Sequence, residues 1–415
     1  MPGTHIYTDW VAPNSMRLLT NQLGVVDGFD FVYQKEFDRE FAIGDTLRVK
    51  EPWRTIPQDG LGWNPASIER RNRTVVMDQV FSDQWIVESL EEALEMERSQ
   101  SDIQDNIIQP QMKQMAQEVD SRGALFAYRN TPTTVGALGT TPTTLNTFGS
   151  ARSRIFELGG WATAKKRSMI VTPAMSQGAI DNTVRGLFQP PDEISKAYKE
   201  GRMGRYAGFD WTESMSLYHH TAGSVTAGAL TVNGAGQSGT SLNINGTSGD
   251  DFNIGDHISI AGVNAVNYMT RRTTGGARHF VITVDLTLSA ATGTLSIFPG
   301  IIGPSSPYAN VTALPATLAA ITFMPGTTTP NGLDGPFGLA FTDKAFACVG
   351  GKLPMPKKGS VEFADSSTDP DTHITLQFIV DWANRERQKE ARIDVLMGFG
   401  RMWSEFSACR VASDQ

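Results

Sequence analysis

Three glycines mark the stretch with most chemical suggestion, Gly201-Arg-Met-Gly204-Arg-Tyr-Ala-Gly208-Phe-Asp-Trp-Thr-Glu-Ser. Glycine-rich turns cradle phosphates when they follow a strand and open a helix, in the order GxGxxG. Here the order is GxxG-xxxG, preceded by the helix-like "PDEISKAYKE" and followed by the strand-like "FDWTES". Gly201 reads as the left-handed residue that stops a helix, and Gly204 and Gly208 as parts of the same architectural turn. His219 and His220 follow, the one close pair among six histidines. Neighbours in a strand point to opposite faces, so this pair does not read as a metal site. Cys348 and Cys409 stand far apart, with no CxxC spacing. The chain contains no GxxxxGK[ST], HExxH or GxSxG motif. Glu91, Glu92, Glu95 and Glu97 read as a solvated helix face. No catalytic constellation, cofactor site or metal site is predicted, and the chain does not read as an enzyme.

The bulk properties agree. The chain has 415 residues and a formal net charge of −8, whereas a protein that grips nucleic acid usually presents a basic field. It holds 40 glycines and 21 prolines, a composition of many turns and short strands. The cysteines give no disulfide framework and fit synthesis in a reducing cytoplasm. No leader and no long apolar run is seen, which predicts neither secretion nor a membrane span.

Several elements can be read from periodicity. Residues 1 to about 36 read as an arm that lies on something else. "FAIGDTLRVKEPW" and "RTVVMDQVFSDQWIVES" are strand-like with a polar connector between them, an extended hairpin. From 88 to 123 the period becomes helical, with Ile103, Ile107, Ile108, Met112, Met115, Ala116 and Val119 on one stripe and Pro110 starting or kinking the helix. "YRNTPTTVGALGTTPTTLNTFGS" reads as a loop. "ARSRIFELGGW" reads as a helix ended by Gly159, and "KKRSMIVTPAM" as a buried strand ended by Pro173. "MSQGAIDNTVRGLF" and "PDEISKAYKEG" read as further helices.

Residues 221 to 249 then contain no charged side chain, only small, β-branched and turn-forming types. Short strands continue, so an all-β module is predicted from 222 to 325, inserted in an α+β host. "HITLQFIVDW" and "ARIDVLMGFG" form a second long hairpin, and "EFSACRVA" a last strand. An arm, two long hairpins and a peripheral module are of little use to a monomer, so self-assembly is the economical inference.

The blocks "GRMGRYAGFDWTESMSLYHHTAG", "GDHISIAGV", "RHFVITV", "GTLSIFPGII", "YANVTALPATLAAITF", "GLAFTDKAFACV" and "RIDVLMGF", in this order, resemble the major capsid (coat) protein of tailed phages. The branch resembled carries an inserted β-barrel (telokin-like) domain and is best known from short-tailed phages. The resemblance covers about residues 40 to 412. It implies an N-terminal arm at 1–39, an extended loop at 40–87 and a peripheral domain with a long spine helix at 88–128. The axial domain falls at 129–221 and 326–370, interrupted by the insertion at 222–325. The peripheral sheet and closing axial strand fall at 371–415.

The function implied is a structural shell protein. It self-assembles as pentamers and hexamers into an icosahedral head enclosing double-stranded DNA, in the host cytoplasm and then the virion. The partners implied are a scaffolding protein, a portal protein and a decoration protein. About 36 residues precede the first hairpin, too few for a cleavable scaffolding region of ~100 residues; the expectation is a separate scaffolding protein. The acidic balance fits weak, non-specific contact with DNA. Asp250, Asp251, Arg271 and Arg272 are candidates for polar contacts between neighbouring subunits. Two other readings share some features, a tail or surface-adhesion protein with a ligand-binding β module and a cargo-holding nanocompartment shell. The helical spine and arm speak against adhesion.

Overall fold

The computed structural model describes residues 5–32, 43–55, 70–87, 108–160, 164, 166–183, 204–324, 331–357, 361, 363–383 and 388–413. Gly201, the acids Glu91 to Glu97, Ile103, Ile107 and the segment "PDEISKAYKEG" lie outside them. The chain divides into two compact units, the first built from Met1–Lys50, Asn72–Gly123 and Ala347–Arg401, the second from Glu51–Arg71, Ala124–Phe346 and Met402–Gln415.

The first unit is organised by long antiparallel strands. Thr46–Lys50 pairs with Asn72–Val87, with Thr46 opposite Val76, giving the first hairpin. Asn72–Val87 in turn pairs with Gln388–Arg401, which pairs with Thr375–Ala383, the second hairpin. Burial follows position in the sheet. In Asn72–Val87 the buried Val75, Met77 and Phe81 alternate with exposed neighbours, whereas Ile393, Val395, Leu396 and Met397 form a continuous buried run. A strand with one wet face shows period two, and a strand covered on both faces does not.

The N-terminal segment is more than an arm. His5–Gln22 is a helix with Pro13 inside it, packed on Phe363–Thr368 and Thr375–Ala383. Ala12, Met16, Leu19 and Leu23 recur at helical spacing and are buried. Pro13 obscured that period, because proline removes a ladder hydrogen bond and reads as a breaker. After this helix the chain is held by Asp120, whose carboxylate accepts from the backbone N–H groups of Gly24 (2.7 Å), Val25 (3.1 Å) and Val26 (3.0 Å). Burial pushes the Asp120 carboxyl above its usual range, and those three donors oppose the shift. Asp120 lies on the helix Gln109–Arg129. Its stripe Ile108, Met112, Met115, Ala116 and Val119 is buried as the period requires, and Pro110 sits in its first turn.

The second unit holds a mixed sheet in the order Thr134–Val135, Ala408–Ala412, Asp334–Thr342, Arg167–Val171, Phe209–Glu213 and Arg205–Tyr206. The helix Leu145–Leu158 packs on it through Leu145, Phe148, Ala151 and Ile155, against Met169, Val171, Cys409 and Val411. It ends at Gly159, as predicted, and the structure shows that residue in the left-handed region with φ +90°. Its start lies inside the segment read as a loop: the i, i+3 spacing of Leu145, Phe148 and Ala151 was hidden among threonines and prolines. Pro173 opens the helix Pro173–Thr183, where a missing N–H costs nothing. "EFSACRVA" contains a short helix, Ser404–Ser407, before the strand Ala408–Ala412.

Residues 231–324 form their own antiparallel sheet, in the order Ile321–Met324, His257–Val266, Thr273–Ile282, Thr292–Ile301, Gly239–Asn245 and Thr231–Val232. The first and last strands of that order also meet. Val232 N–H donates to Ala319 O (2.9 Å), Leu318 N–H to Val232 O (2.9 Å) and Ile321 N–H to Leu230 O (3.0 Å). These bonds occupy backbone groups that an open edge would leave unpaired.

Candidate functional site

Where the all-β segment leaves and rejoins the host, paired backbone and buried polar side chains meet. Its exit strand His219–Thr221 pairs antiparallel with Asp334–Pro336, with His220 opposite Gly335. The pairing continues outward as Ala222 N–H donates to Leu333 O (2.9 Å). Beyond it, Asn331 accepts from Val225 N–H (3.0 Å) and donates to Val225 O (2.7 Å). Outgoing and incoming chain are therefore a ladder, not two separate linkers.

His219 is exposed and His220 buried, the opposite facing expected of strand neighbours. His220 Nε2 lies 2.7 Å from Asp256 Oδ1. Asp256 Oδ2 accepts from the backbone N–H groups of Asn253 (2.7 Å) and Gly223 (3.1 Å). Gly223 has no room for a side chain, since a Cβ there would overlap the Asp251 carbonyl.

Behind this pair lies Arg410, fully buried on the closing strand. Its Nε donates to Thr131 O (3.2 Å), and its Nη2 donates to Gly255 O (2.9 Å) and to His257 Nε2 (2.7 Å). Its guanidinium carbon stands 3.9 Å from the centre of the Tyr128 ring, a cation–π contact in a dry setting. Burial lowers the Arg410 pKa, and Tyr128 and Asp256 raise it. Burial, and then the Arg410 charge, hold His257 well below the ordinary histidine range, so it is neutral and Nε2 accepts from Arg410. Gly255 is needed twice over. Its φ is +102°, and a Cβ would come within 2.5 Å of Tyr128. One hydrophobic core continues across the junction, joining Tyr128, Leu138, Phe337 and Ala412 of the host to Leu242, Ile258, Phe280 and Leu295 of the module.

The turn that opens the stretch of glycines is a tight hairpin. Tyr206 pairs with Phe209 across a two-residue turn, Ala207 (φ +52°) and Gly208 (φ +80°). Positive φ at both central positions is the type I′ arrangement, whose twist matches that of the strands. Gly204, at φ +65°, precedes it.

Of the four charges singled out as candidate subunit contacts, three have partners within their own module. Asp250 is buried and accepts from Thr226 N–H (2.7 Å), Thr226 Oγ1 (2.8 Å) and Thr247 N–H (2.7 Å). Asp251 accepts from Thr287 Oγ1 (2.7 Å), and Arg271 donates to Pro304 O (3.1 Å) and Ser306 O (3.0 Å). Arg272 is exposed.

Sequence reasoning missed Arg410, His257, Asp256, Tyr128 and Arg54. Arg54 lies 3.3 Å from the centre of the Tyr268 ring, with Trp403 and Phe406 also within reach, and pairs with Glu51 at 3.5 Å. No spacing rule links these residues, which come from segments up to hundreds of positions apart. The one usable signal was a lone arginine inside the apolar strand "ACRVA", since buried strands tolerate charge only when it is satisfied.

Among the described residues no group of three or more His, Cys, Asp or Glu is placed to hold a metal ion, and no described helix is long and apolar enough to cross a membrane. Polar groups here hold backbone to backbone, which is the chemistry of an architectural protein. The chain belongs to the P22 coat protein family: the family model described as "P22 coat protein - gene protein 5" matches residues 89–405. It is a structural major capsid protein that self-associates into the head shell of a phage and resides in the virion. Its fold is the α+β fold of tailed-phage capsids. No curated protein sequence matches it.

Solved structures similar to it include one from Mycobacterium phage Che8, with 10% identity, TM-score 0.40, and 95% of this chain and 90% of that chain covered. The capsid of cyanophage P-SCSP1u gives 13% identity, TM-score 0.42, and coverage of 91% and 86%. The CUS-3 coat protein I-domain gives 29% identity and TM-score 0.18, covering 24% of this chain and 97% of that one.

Proposed function

We propose that segment 222–325 is a closed barrel that works as a rigid assembly module, fixing the shape of the axial domain around its exit and return strands. The observation that carries this reading is the fully buried Arg410, which ties Thr131 of the host to Gly255 and His257 of the module. Guanidinium–carbonyl bonds in a dry core resist opening, because each separated group would lose its partner. The remaining boundaries follow the same reading: arm 1–39, extended loop 40–87, peripheral domain 88–128, axial domain 129–221 and 326–370, peripheral sheet and closing strand 371–415.

The subunit assembles in the host cytoplasm with a separate scaffolding protein, around a portal, and the shell also offers places for a decoration protein. It does no catalysis. Net charge −8 supports a shell that confines DNA by weak, non-specific contact. Contacts between neighbouring subunits through the module rest on exposed charge, with Arg272 the foremost of the four candidates.

The deciding experiment is co-expression of Arg410→Met and wild-type chains, each with and without the scaffolding protein, followed by electron microscopy. Closed shells of normal size from the wild type and aberrant or open shells from the variant are expected. Normal shells from the variant would overturn the rigid-module reading. Mass spectrometry of mature particles tests the scaffolding reading, and loss of a long N-terminal piece would end it.

A further inference from the structure

We propose that the recess between the helix Leu145–Leu158 and the strand Thr273–Ile282 is an anion site that takes a single carboxylate group. It is lined by Thr133, Arg154, Glu157, Thr274, Arg278 and His279, with apolar walls, is partly open, and its volume of about 10 Å³ takes one water-sized atom group, such as a single carboxylate oxygen.

Arg278 carries the argument. Its side chain is only 1% exposed. Nη2 donates to Glu405 O at 3.1 Å, whereas Nε and Nη1 have no hydrogen-bond partner among the described residues. Three N–H bonds of a buried guanidinium are thus unused. Burial lowers its pKa to about 10, so it keeps its charge at neutral pH. A buried cation with idle donors is costly unless something supplies acceptors.

Arg154 and His279 favour an anion, and the one acid of the lining, Glu157, is paired with Arg154. His279 Nδ1 accepts from Thr134 N–H at 3.3 Å, which puts the ring proton on Nε2 as a donor. Burial, with Arg154 and Arg278 adding to it, pulls the His279 pKa to about 3, so the ring is neutral. Arg154 lies at the mouth and meets Glu157 at 3.6 Å. It crosses the strand at Gly276, where a Cβ would overlap its Nη1. Glu405, the other acid nearby, divides its field between Arg278 and Arg54. The Arg278 donors, beside Leu158, Ala265 and Ala277, suit one carboxylate oxygen that enters the recess.

The carboxylate can come from an acidic side chain of a second copy of this chain or from a small free acid. Formate, the smallest carboxylate, is the probe, with chloride at equal ionic strength as control. In unassembled full-length subunits, saturating formate is expected to raise Tm by about 2–4 °C over chloride. Arg278→Met is expected to abolish that difference, and Arg154→Gln, at the mouth, to reduce it and to replace Arg278→Met if that variant does not fold. If a neighbouring copy supplies the group, assembled shells ignore formate and side-chain-resolved density shows an Asp or Glu in the recess. If the source is free, shells respond as subunits do. Equal Tm in formate and chloride for wild-type subunits overturns the proposal, as does an unchanged formate response in both variants.

Discussion

Arg410 and Arg278 lie in the same unit, each essentially without solvent exposure and each with its Nη1 unpartnered among the described residues, yet they are held to different degrees. Arg410 donates to two carbonyls and a neutral imidazole and rests on the face of Tyr128. Arg278 donates to one carbonyl, and its ring contact, Phe406, is 5.6 Å away. The difference teaches that burial of a charge does not by itself make a keystone. What counts is how many bonds the charge itself makes. Around Arg410 there are three acceptors from two parts of the chain; around Arg278 there is one.

The largest expected effect follows from that count. Arg410→Met removes three charge-assisted bonds at once, although Tyr128 OH stays 3.3 Å from Gly255 O and His257 Nε2 stays 3.1 Å from Thr131 O, and should lower unfolding free energy by about 3–5 kcal/mol in urea titration. A loss under about 1 kcal/mol would dissolve the contrast. Gly255→Ala attacks the same root through backbone strain and the Tyr128 ring, and should cost about 2–3 kcal/mol with little change in m-value.

Next comes pH. His257 and His279 are both held neutral by burial, His279 down to about 3. Unfolded histidine binds a proton near 6.5, so below that pH the unfolded state takes up more protons and stability falls. Between pH ~6 and ~4 the second unit should lose up to about 1.4 kcal/mol per pH unit for His279, with His257 adding to the loss in the same direction, and none above pH ~7.5. A flat stability profile across that window would contradict the burial of both rings.

Arg278→Met should change stability by less than about 1 kcal/mol, because the cost of burying an under-partnered charge leaves with it. A loss as large as that of Arg410→Met would make the two arginines equivalent. Smallest of all, Arg272→Glu should leave subunit stability within about 0.5 kcal/mol, and any effect should appear in the yield of closed shells.

Much of the frame was readable. The two long hairpins, the spine stripe, Gly159 as a helix stop, and the uncharged β-rich segment all follow from period and turn chemistry, which act over a few residues. The helix His5–Gln22 was masked by Pro13, and the start of Leu145–Leu158 by threonine and proline, because composition outweighed a short apolar period. Asp250 and Arg271 looked like exposed loop charges and are spent on their own turns, since a short carboxylate or a long guanidinium is readily taken up by nearby backbone.

The sequence by itself carried the resemblance to a coat protein, an acidic balance, and an inserted segment too poor in charge to be a disordered tail. Only the tertiary structure decided how the insertion is held. Arg410 meets Thr131, Gly255 and His257 across separations of 279, 155 and 153 residues. Local propensity carries no information over such distances. The fold brings these groups together, and the low dielectric of the core then makes their partnership matter.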